Sequence, residues 1–380
     1  MKTKAFSLFV AIILLFVTGV VHAYEVKQST TATHALLLDV ETGSVLFEKN
    51  ATEHMPTSSM SKVMTMYMVF EALKEGRLKL ADKMHVSRKA WSKKGSSMFL
   101  KEGQSVTVED LIRGVVIQSG NDATIVFAEG LAGEEDIFSE AMTQRAKDIG
   151  MQNSNFKNAS GWPHPDHYST AKDLAILSYR TLVDFPEYYK YYSEKSFKFN
   201  GIDQPNRNML LFRNMGVDGL KTGHTQVGGY GMMTSANRGD RRLILVVNGL
   251  KSERARAQES ARLLEWGFRE FENIVLFEKG TIVDSAETWL GQEANVSLVI
   301  KEELKMTVPK NKREQMVIKV KYEGPIATPI QKGDEVAKLS VEIPNMPVQE
   351  FPLYAGENVG SMGFIPETMA KAKYFLFGSY

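Results

Sequence analysis

Pro56-Thr57-Ser58-Ser59-Met60-Ser61-Lys62-Val63-Met64-Thr65 is the stretch on which the reading of the fold turns. It opens a run, residues 56–75, in which Val63, Met64, Met66, Tyr67, Met68, Val69 and Phe70 leave little polar surface. A helix apolar on most of its faces must be buried. The run therefore predicts a central helix, ended by Gly76. Ser59 and Lys62 stand three residues apart, which on a helix sets a hydroxyl and an amine on one face. A serine alcohol is a weak nucleophile and must lose its proton as it attacks. A lysine accepts that proton only when neutral, and burial beside another cation lowers its pKa. The methionines around Lys62 supply such burial. Pro56 marks the helix start, where free N–H groups and the helix dipole stabilise an oxyanion. The S-x-x-K spacing alone says little, because Ser154…Lys157 and Ser169…Lys172 share it. Only the buried helix start separates Ser59 from those surface-like pairs.

Around this run the chain reads as mixed helix and strand. Residues 34–40 and 45–47 suggest two strands about a turn at Gly43. Residues 108–117, 123–131, 137–149, 170–184 and 254–271 suggest helices, and residues 153–167 a long ordered loop. Residues 230–235 and 242–248 suggest strands joined by Asn237-Arg238-Gly239-Asp240. The texture changes near Ile274. Short β-rich runs follow at 296–300, 316–322, 336–341 and 351–354, with turns at Gly324-Pro325 and Gly333-Asp334. The expected class is α+β, an antiparallel sheet with helices, followed by a small all-β sandwich-like domain.

A length of 380 residues suits two domains. Lys and Arg number 46 against 45 Asp and Glu, which argues against a nucleic-acid binder that works by phosphate neutralisation. There is no cysteine, which excludes disulfides, thiolate metal sites, Fe–S ligation and a cysteine nucleophile. Lys2 and Lys4, the apolar residues 5–21 and Val21-His22-Ala23 read as a secretory signal peptide cleaved before Tyr24. An uncleaved anchor would need about 20 apolar residues, slightly more than are present. An exported chain without disulfides is compatible with a bacterial periplasm. Phe364, Ile365, Met369, Tyr374, Phe375, Leu376 and Phe377, with Lys371 and Lys373, suggest an amphipathic helix on a membrane surface. A tail docked on the β domain, or a frayed end, is the plainer alternative. The expected organisation is thus residues 1–23, 24–273, 274–360 and 361–380.

Two more short motifs carry hydroxyl, amide and amine groups. Ser119-Gly120-Asn121 falls between two predicted helices; its hydroxyl could relay a proton, and its amide could position Lys62 and hold a carbonyl. Alone it is an ordinary capped loop, and Ser235-Ala236-Asn237 matches it. Lys221-Thr222-Gly223 occurs once, ahead of a predicted strand. On an edge strand it would present Lys221 and the Thr222 hydroxyl to a carboxylate, with Gly223 admitting a substrate backbone. A turn lysine is the plain reading. The three motifs in this order, 60 and then 102 residues apart, form the signature set of penicillin-recognising serine acyltransferases.

On these motifs the sequence resembles the low-molecular-mass penicillin-binding proteins, the serine-type D-alanyl-D-alanine carboxypeptidases of peptidase family S11. Gly95-Ser96-Ser97-Met98-Phe99 is similar to the family's mobile loop over the site. Asp166-His167-Tyr168-Ser169-Thr170-Ala171 and Val217-Asp218-Gly219-Leu220-Lys221-Thr222-Gly223-His224 resemble two further segments. The resemblance implies a penicillin-recognising, transpeptidase/β-lactamase-like catalytic domain in residues 24–273. It implies an exported enzyme at the periplasmic face of the inner membrane, peripheral through residues 361–380. The implied substrate is the peptidoglycan pentapeptide, whose terminal D-alanine is removed, and β-lactams would acylate the same serine. Carried over, Ser59 is the acylated nucleophile, Lys62 the general base and Ser119 a catalytic hydroxyl. Asn121, Lys221, Thr222, Gly223, His224 and Arg256 bind substrate. The backbone N–H groups of Ser59 and His224 form the oxyanion hole. No cofactor, metal or nucleic acid is implied. Gly120 stands where many relatives carry another residue, often aspartate, and is read as an outward-facing position of no chemical consequence.

Three rival readings remain at this point. A class A β-lactamase needs a deacylating glutamate after the second motif, and residues 153–170 hold Asp166 but no glutamate. A zinc peptidase is suggested by His164-Pro165-Asp166-His167. A catalytically weak penicillin-binding sensor would keep the motifs without turnover.

Overall fold

The computed structural model describes residues 28–363. The expected signal peptide, and all of the expected terminal helix beyond residue 363, lie outside them. A five-stranded sheet organises the first part of the chain, in the order Val45–Lys49, His34–Asp39, Arg241–Leu250, Gly229–Arg238, Val217–Thr225. Every neighbouring pair is antiparallel. The first strand joins the last hairpin across some 200 residues, with Ala35 opposite Val247 and Leu37 opposite Leu245.

Successive strand residues point to opposite faces, and here both faces are covered. Leu36, Ile244, Val246 and Met233 turn to the larger core, which contains the helix Lys62–Lys74. Ala35, Leu37, Leu245, Val247 and Met232 turn to a second core against the helix Glu253–Glu270. That is why residues 242–248 read as a continuous apolar run rather than an alternating one. The helices Val108–Val116, Asn121–Ala132, Glu135–Asp148 and Ala171–Asp184 surround Lys62–Lys74. Thr107 and Thr170 cap two of them by accepting from Asp110 N and Asp173 N.

The central helix begins later than its apolar pattern suggests. Residues 58–61 form a 3-10 turn, and the α-helix starts at Lys62. Ser58 takes a positive φ of 51°, so the segment that carries Ser59 is a bent turn and not the first turn of the helix. Gly120, expected to face outward, is buried: a Cβ there would meet Asp122 Oδ1 at 2.6 Å and Met98 N at 3.2 Å. A side chain here would have to displace the Asp122 carboxylate, which folds back over this position.

Beyond residue 270 a six-stranded sheet runs in the order Val317–Lys321, Glu335–Glu342, Gln349–Ala355, Asn295–Val299, Ile282–Trp289, Ile326–Ala327. The pair Phe271–Phe277 and Leu304–Pro309 closes its core, where Val296, Leu298, Leu339, Leu353, Met306 and Val308 are buried. Strand Phe271–Phe277 follows the helix without a linker, so a division between residues 273 and 274 falls inside a strand. Phe271 belongs to the core under the first sheet and Ile274 to the core of the second. The fully buried Asp39 ties the two parts, accepting from Arg241 Nε at 2.7 Å and Asn273 Nδ2 at 3.0 Å. Among the described residues no helix is long and apolar enough to cross a membrane.

Candidate active site

Lys62 is fully buried, the first residue of its helix. Its Nζ lies 2.9 Å from Ser59 Oγ, 2.7 Å from Asn121 Oδ1 and 2.6 Å from the Ser160 carbonyl oxygen. Burial pushes its pKa well below the ordinary lysine value; Arg207 and Lys93 push the same way, and Asp122 opposes them. A neutral amine has two N–H groups and one lone pair. The Ser160 carbonyl and Asn121 Oδ1 can only accept, so they take the two N–H groups. The lone pair then faces the Ser59 hydroxyl, which donates to it. This arrangement can remove the Ser59 proton.

The bent turn that carries Ser59 is gripped from two sides. A Cβ on Gly161 (φ 76°) would fall 1.7 Å from the Ser58 carbonyl oxygen. A Cβ on Gly223 would fall 2.9 Å from Thr57 O and 3.1 Å from Ser58 Cβ. Gly223 was expected to admit a substrate backbone; in the structure its missing Cβ also lets the turn that carries Ser59 approach. The strand Val217–Thr225 is an edge strand, as the third motif requires, and Lys221 and Thr222 are both buried on it.

Ser119 is also buried, with a positive φ of 62°. Such a backbone costs a non-glycine residue about 1–3 kcal/mol. It is held by Gly120 N donating to Gly114 O and by Asn121 N donating to Ser96 O. The Ser119 Oγ has no protein partner, so the structure does not join it to Lys62 or Ser59 by a hydrogen bond. Asn121 Nδ2 donates to Lys94 O at 2.8 Å, which fixes its Oδ1 on Lys62.

A cleft of about 350 Å³ opens at Ser59 and is lined by Ser96, Arg207, Thr222, Gly223, His224, Tyr230, Glu253 and Arg256. The His224 ring stacks on Tyr230, with centroids 3.9 Å apart. Arg256 Nη2 donates to Glu253 Oε1 at 2.8 Å, and the guanidinium lies 5.8 Å from the Tyr230 ring centre. Burial pushes the Lys221 amine well down, and Lys62, Arg207 and Arg256 push the same way. Lys221 and Arg256 are buried at this cleft and Arg207 reaches it from an exposed position, and together these basic groups surround a space that suits an anion. Arg207 was not singled out in the sequence. It reaches the cleft from a polar stretch without periodicity, and its Nη1 donates to Ser96 Oγ at 2.7 Å. Glu253, Tyr230 and the Ser160 carbonyl were missed for the same reason: no spacing rule marks them.

The zinc reading meets a specific obstacle. The His167 Nδ1 accepts from Lys157 N at 3.2 Å, and its Nε2 donates to Ser61 Oγ at 2.8 Å, so both ring nitrogens are committed. Among the described residues no group of three His, Asp or Glu is spaced to hold a metal. Asp166 has an exposed side chain, 4.0 Å from His164 Nδ1, and offers no deacylating carboxylate at Ser59.

His167 yields a stability prediction. Burial, with His164 and Lys62 adding to it, lowers its pKa from 6.5 to about 4. Between those values the unfolded chain holds a proton that the folded chain refuses. Stability is therefore whole above about pH 6.5 and falls as pH drops towards 4, by up to about 3 kcal/mol from this group. Urea titrations at pH 7 and pH 4.5 should show a larger loss in the wild type than in His167→Gln. Equal losses would contradict the assignment.

Comparison with known proteins follows the same lines. The family model of peptidase S11, described as D-alanyl-D-alanine carboxypeptidase, matches residues 21–252. A second, described as penicillin-binding protein 5, C-terminal domain, matches residues 271–361. The D-alanyl-D-alanine carboxypeptidase DacC of Escherichia coli (strain K12) is 40% identical over 339 residues, 87% of this chain and 84% of that protein. The crystal structure of penicillin binding protein 5 from Haemophilus influenzae is 35% identical. It superposes with a TM-score of 0.78 over 88% of this chain and 99% of that one. Penicillin-Binding Protein D2 from Listeria monocytogenes, in its ampicillin-bound form, is 31% identical with a TM-score of 0.60. That match covers 64% of this chain and 100% of that one.

Proposed function

The chain belongs to peptidase family S11, the D-alanyl-D-alanine carboxypeptidases, and from that premise we propose that it releases the terminal D-alanine of peptidoglycan pentapeptides through an acyl-enzyme on Ser59. It is a serine-type D-Ala-D-Ala carboxypeptidase and a penicillin-binding protein. The observation that carries the residue assignment is the fully buried Lys62 amine, held 2.9 Å from the Ser59 hydroxyl by two acceptor-only partners.

The Ser59 proton passes to Lys62 Nζ as Oγ attacks the carbonyl of the penultimate D-alanine. The resulting oxyanion is held by the backbone N–H groups of Ser59 and His224. Collapse breaks the C–N bond, and the proton passes to the departing amine, with the Ser119 hydroxyl as relay. Water then attacks the ester, again with Lys62 as base, and restores Ser59. The terminal carboxylate sits among Lys221, Thr222 and Arg256. That position explains why a carboxyl-terminal residue is chosen: an internal residue has no free carboxylate to offer these cations. A β-lactam offers a carboxylate and a strained amide in the same relation, and acylates Ser59.

We assign residues 24–273 to the catalytic unit and 274–360 to the β unit, despite the strand they share. The address of the enzyme is the outer face of the inner membrane, with residues 1–23 directing export and residues 361–380 meeting the lipid surface.

Lys221→Ala should mainly weaken carboxylate recognition. A buried charge-assisted hydrogen bond is worth about 1.5–3 kcal/mol, so kcat/KM for a D-Ala-D-Ala peptide should fall about 10- to 100-fold. The ratio of activity on the free-acid peptide to its C-terminal amide should collapse as well. A variant with normal preference for the free acid would overturn the role given to Lys221. Parallel assay of D-alanine release from diacetyl-L-Lys-D-Ala-D-Ala tests the reaction itself.

A further inference from the structure

Of the three partners of Lys62 Nζ, the Ser160 carbonyl is the closest, and it comes from a loop rather than from a helix. A peptide oxygen in a Gly- and Pro-rich loop needs something to aim it. We propose that Asn158 is the positioning residue of this active site: its side-chain amide shapes the 158–162 loop so that the Ser160 carbonyl stays against Lys62. The proposal rests on the reading of Lys62 as the base that serves Ser59.

The geometry is a closed cage. Asn158 Oδ1 accepts from Ser160 N at 3.2 Å, Ser160 Oγ at 3.2 Å and Trp162 N at 2.8 Å. Asn158 Nδ2 donates to Trp162 O at 2.9 Å. This pattern also settles the orientation of the amide, because a flipped group would set its N–H groups against two backbone N–H groups. One side chain thus holds the 159–160, 161–162 and 162–163 peptides, and so brackets the 160–161 peptide that carries the Ser160 carbonyl. The loop is anchored outside the cage as well: Thr65 Oγ1, on the helix Lys62–Lys74, donates to Ala159 O at 2.6 Å. Ala159 N donates to Glu135 Oε1 at 3.3 Å. Gly161 then fits against the Ser58 carbonyl with no room for a Cβ. Asn158 is therefore linked to both members of the pair, to Lys62 through Ser160 O and to Ser59 through Gly161 and Ser58.

Only asparagine does this fully. Aspartate keeps the accepting oxygen and loses the donor to Trp162 O. Alanine loses all of it. A carbonyl that accepts from Lys62 favours the charged amine, so a loosened Ser160 carbonyl lets the base titrate at lower pH. The other charged or titratable groups that bear on Lys62 are Arg207, Lys93, Lys221, Asp122 and His167. None of them belongs to the cage.

The test is the second-order rate constant of acylation by fluorescent penicillin, measured from pH 4 to pH 10. The wild type, Asn158→Ala, Asn158→Asp and Ser59→Ala are compared, with thermal midpoints recorded. Asn158→Ala should lose about 10- to 100-fold in the plateau rate, as small misplacements of reacting groups do. Its acid limb should move to lower pH, by on the order of one unit. Asn158→Asp should stay within a few-fold of the wild type, with its limb displaced to higher pH by the added negative charge. A purely structural role would lower the thermal midpoint and the labelled fraction but leave the limb where it is. Limbs that coincide in all three acylating proteins overturn the proposal, and so does an unchanged plateau in Asn158→Ala. If Asn158→Ala does not fold, Asn158→Ser, which adds no charge and cannot reach both Trp162 N and Trp162 O, takes its place with the same plateau loss and limb shift expected. Labelling that persists in Ser59→Ala would instead overturn the underlying reading of the nucleophile.

Discussion

Ser59→Ala loses all but a trace of D-alanine release and takes up no penicillin. The expected fall is on the order of 10⁶-fold, since removing the nucleophile of a covalent mechanism leaves only binding and oxyanion stabilisation. The substitution itself is mild. Ser59 is half-buried, and among the described residues its hydroxyl hydrogen-bonds only to Lys62 Nζ. Its loss leaves the turn gripped by Gly161 and Gly223 as before. The variant should therefore fold and melt like the wild type. A D-Ala-D-Ala peptide should still bind, because Lys221, Thr222 and Arg256 are untouched. Residual turnover within a hundredfold of the wild type would mean that another group is acylated.

Lys62→Met separates catalysis from stability. Methionine matches the length of the lysine stem and adds no charge to a site with no exposure to solvent. General-base catalysis is worth about 10²–10⁴-fold, and in the proposed mechanism Lys62 serves both acylation and deacylation. Penicillin acylation should fall by about 10³-fold or more, and D-alanine release still further. Stability moves the other way. The folded pKa of Lys62 is depressed by burial, so at neutral pH the unfolded chain holds a proton that the folded chain resists. That difference lowers the stability of the wild type below the ordinary lysine pKa, and it shrinks as pH rises towards that value. Lys62→Met removes it. The variant should melt above the wild type at pH 7, with the gap narrowing by pH 10. A variant that melts lower would show that the three contacts of the amine outweigh the burial of its charge. Acylation in the wild type should itself weaken as pH falls through the lowered lysine pKa, because only the neutral amine accepts the Ser59 proton.

Much of this site was legible in the sequence because the chemistry fixes spacing. Ser59 and Lys62 are three residues apart, and the apolar run after them could only be a buried helix. Lys221-Thr222-Gly223 fell on an edge strand as its chemistry requires. The strands 241–250 and 229–238 were visible as apolar runs, because the sheet is covered on both faces. What escaped was set by tertiary contact. The 3-10 turn at residues 58–61 arises from the grip of Gly161 and Gly223, one about 100 and the other about 160 residues away. Arg207 meets Ser96, and the Ser160 carbonyl meets Lys62, through loops that no periodicity marks. In the second part of the chain, strand Ile282–Trp289 buries only Ala286 and Thr288, so its pattern gave no strand signal. Gly120 was misjudged because its neighbour Asp122 turns inward. That buried carboxylate accepts from Ser97 Oγ, Met98 N and Leu100 N and so holds the loop beside the cleft.

The central claim is that the Ser59 oxygen becomes the ester of the acyl-enzyme. Peptide mapping by mass spectrometry of the wild-type protein, quenched after brief exposure to benzylpenicillin, tests it directly. The account predicts one drug equivalent per chain, carried by the peptide that contains Ser59 and assigned to that residue by fragmentation. The adduct on Ser119, on Ser61 or on any peptide lacking Ser59 would contradict it.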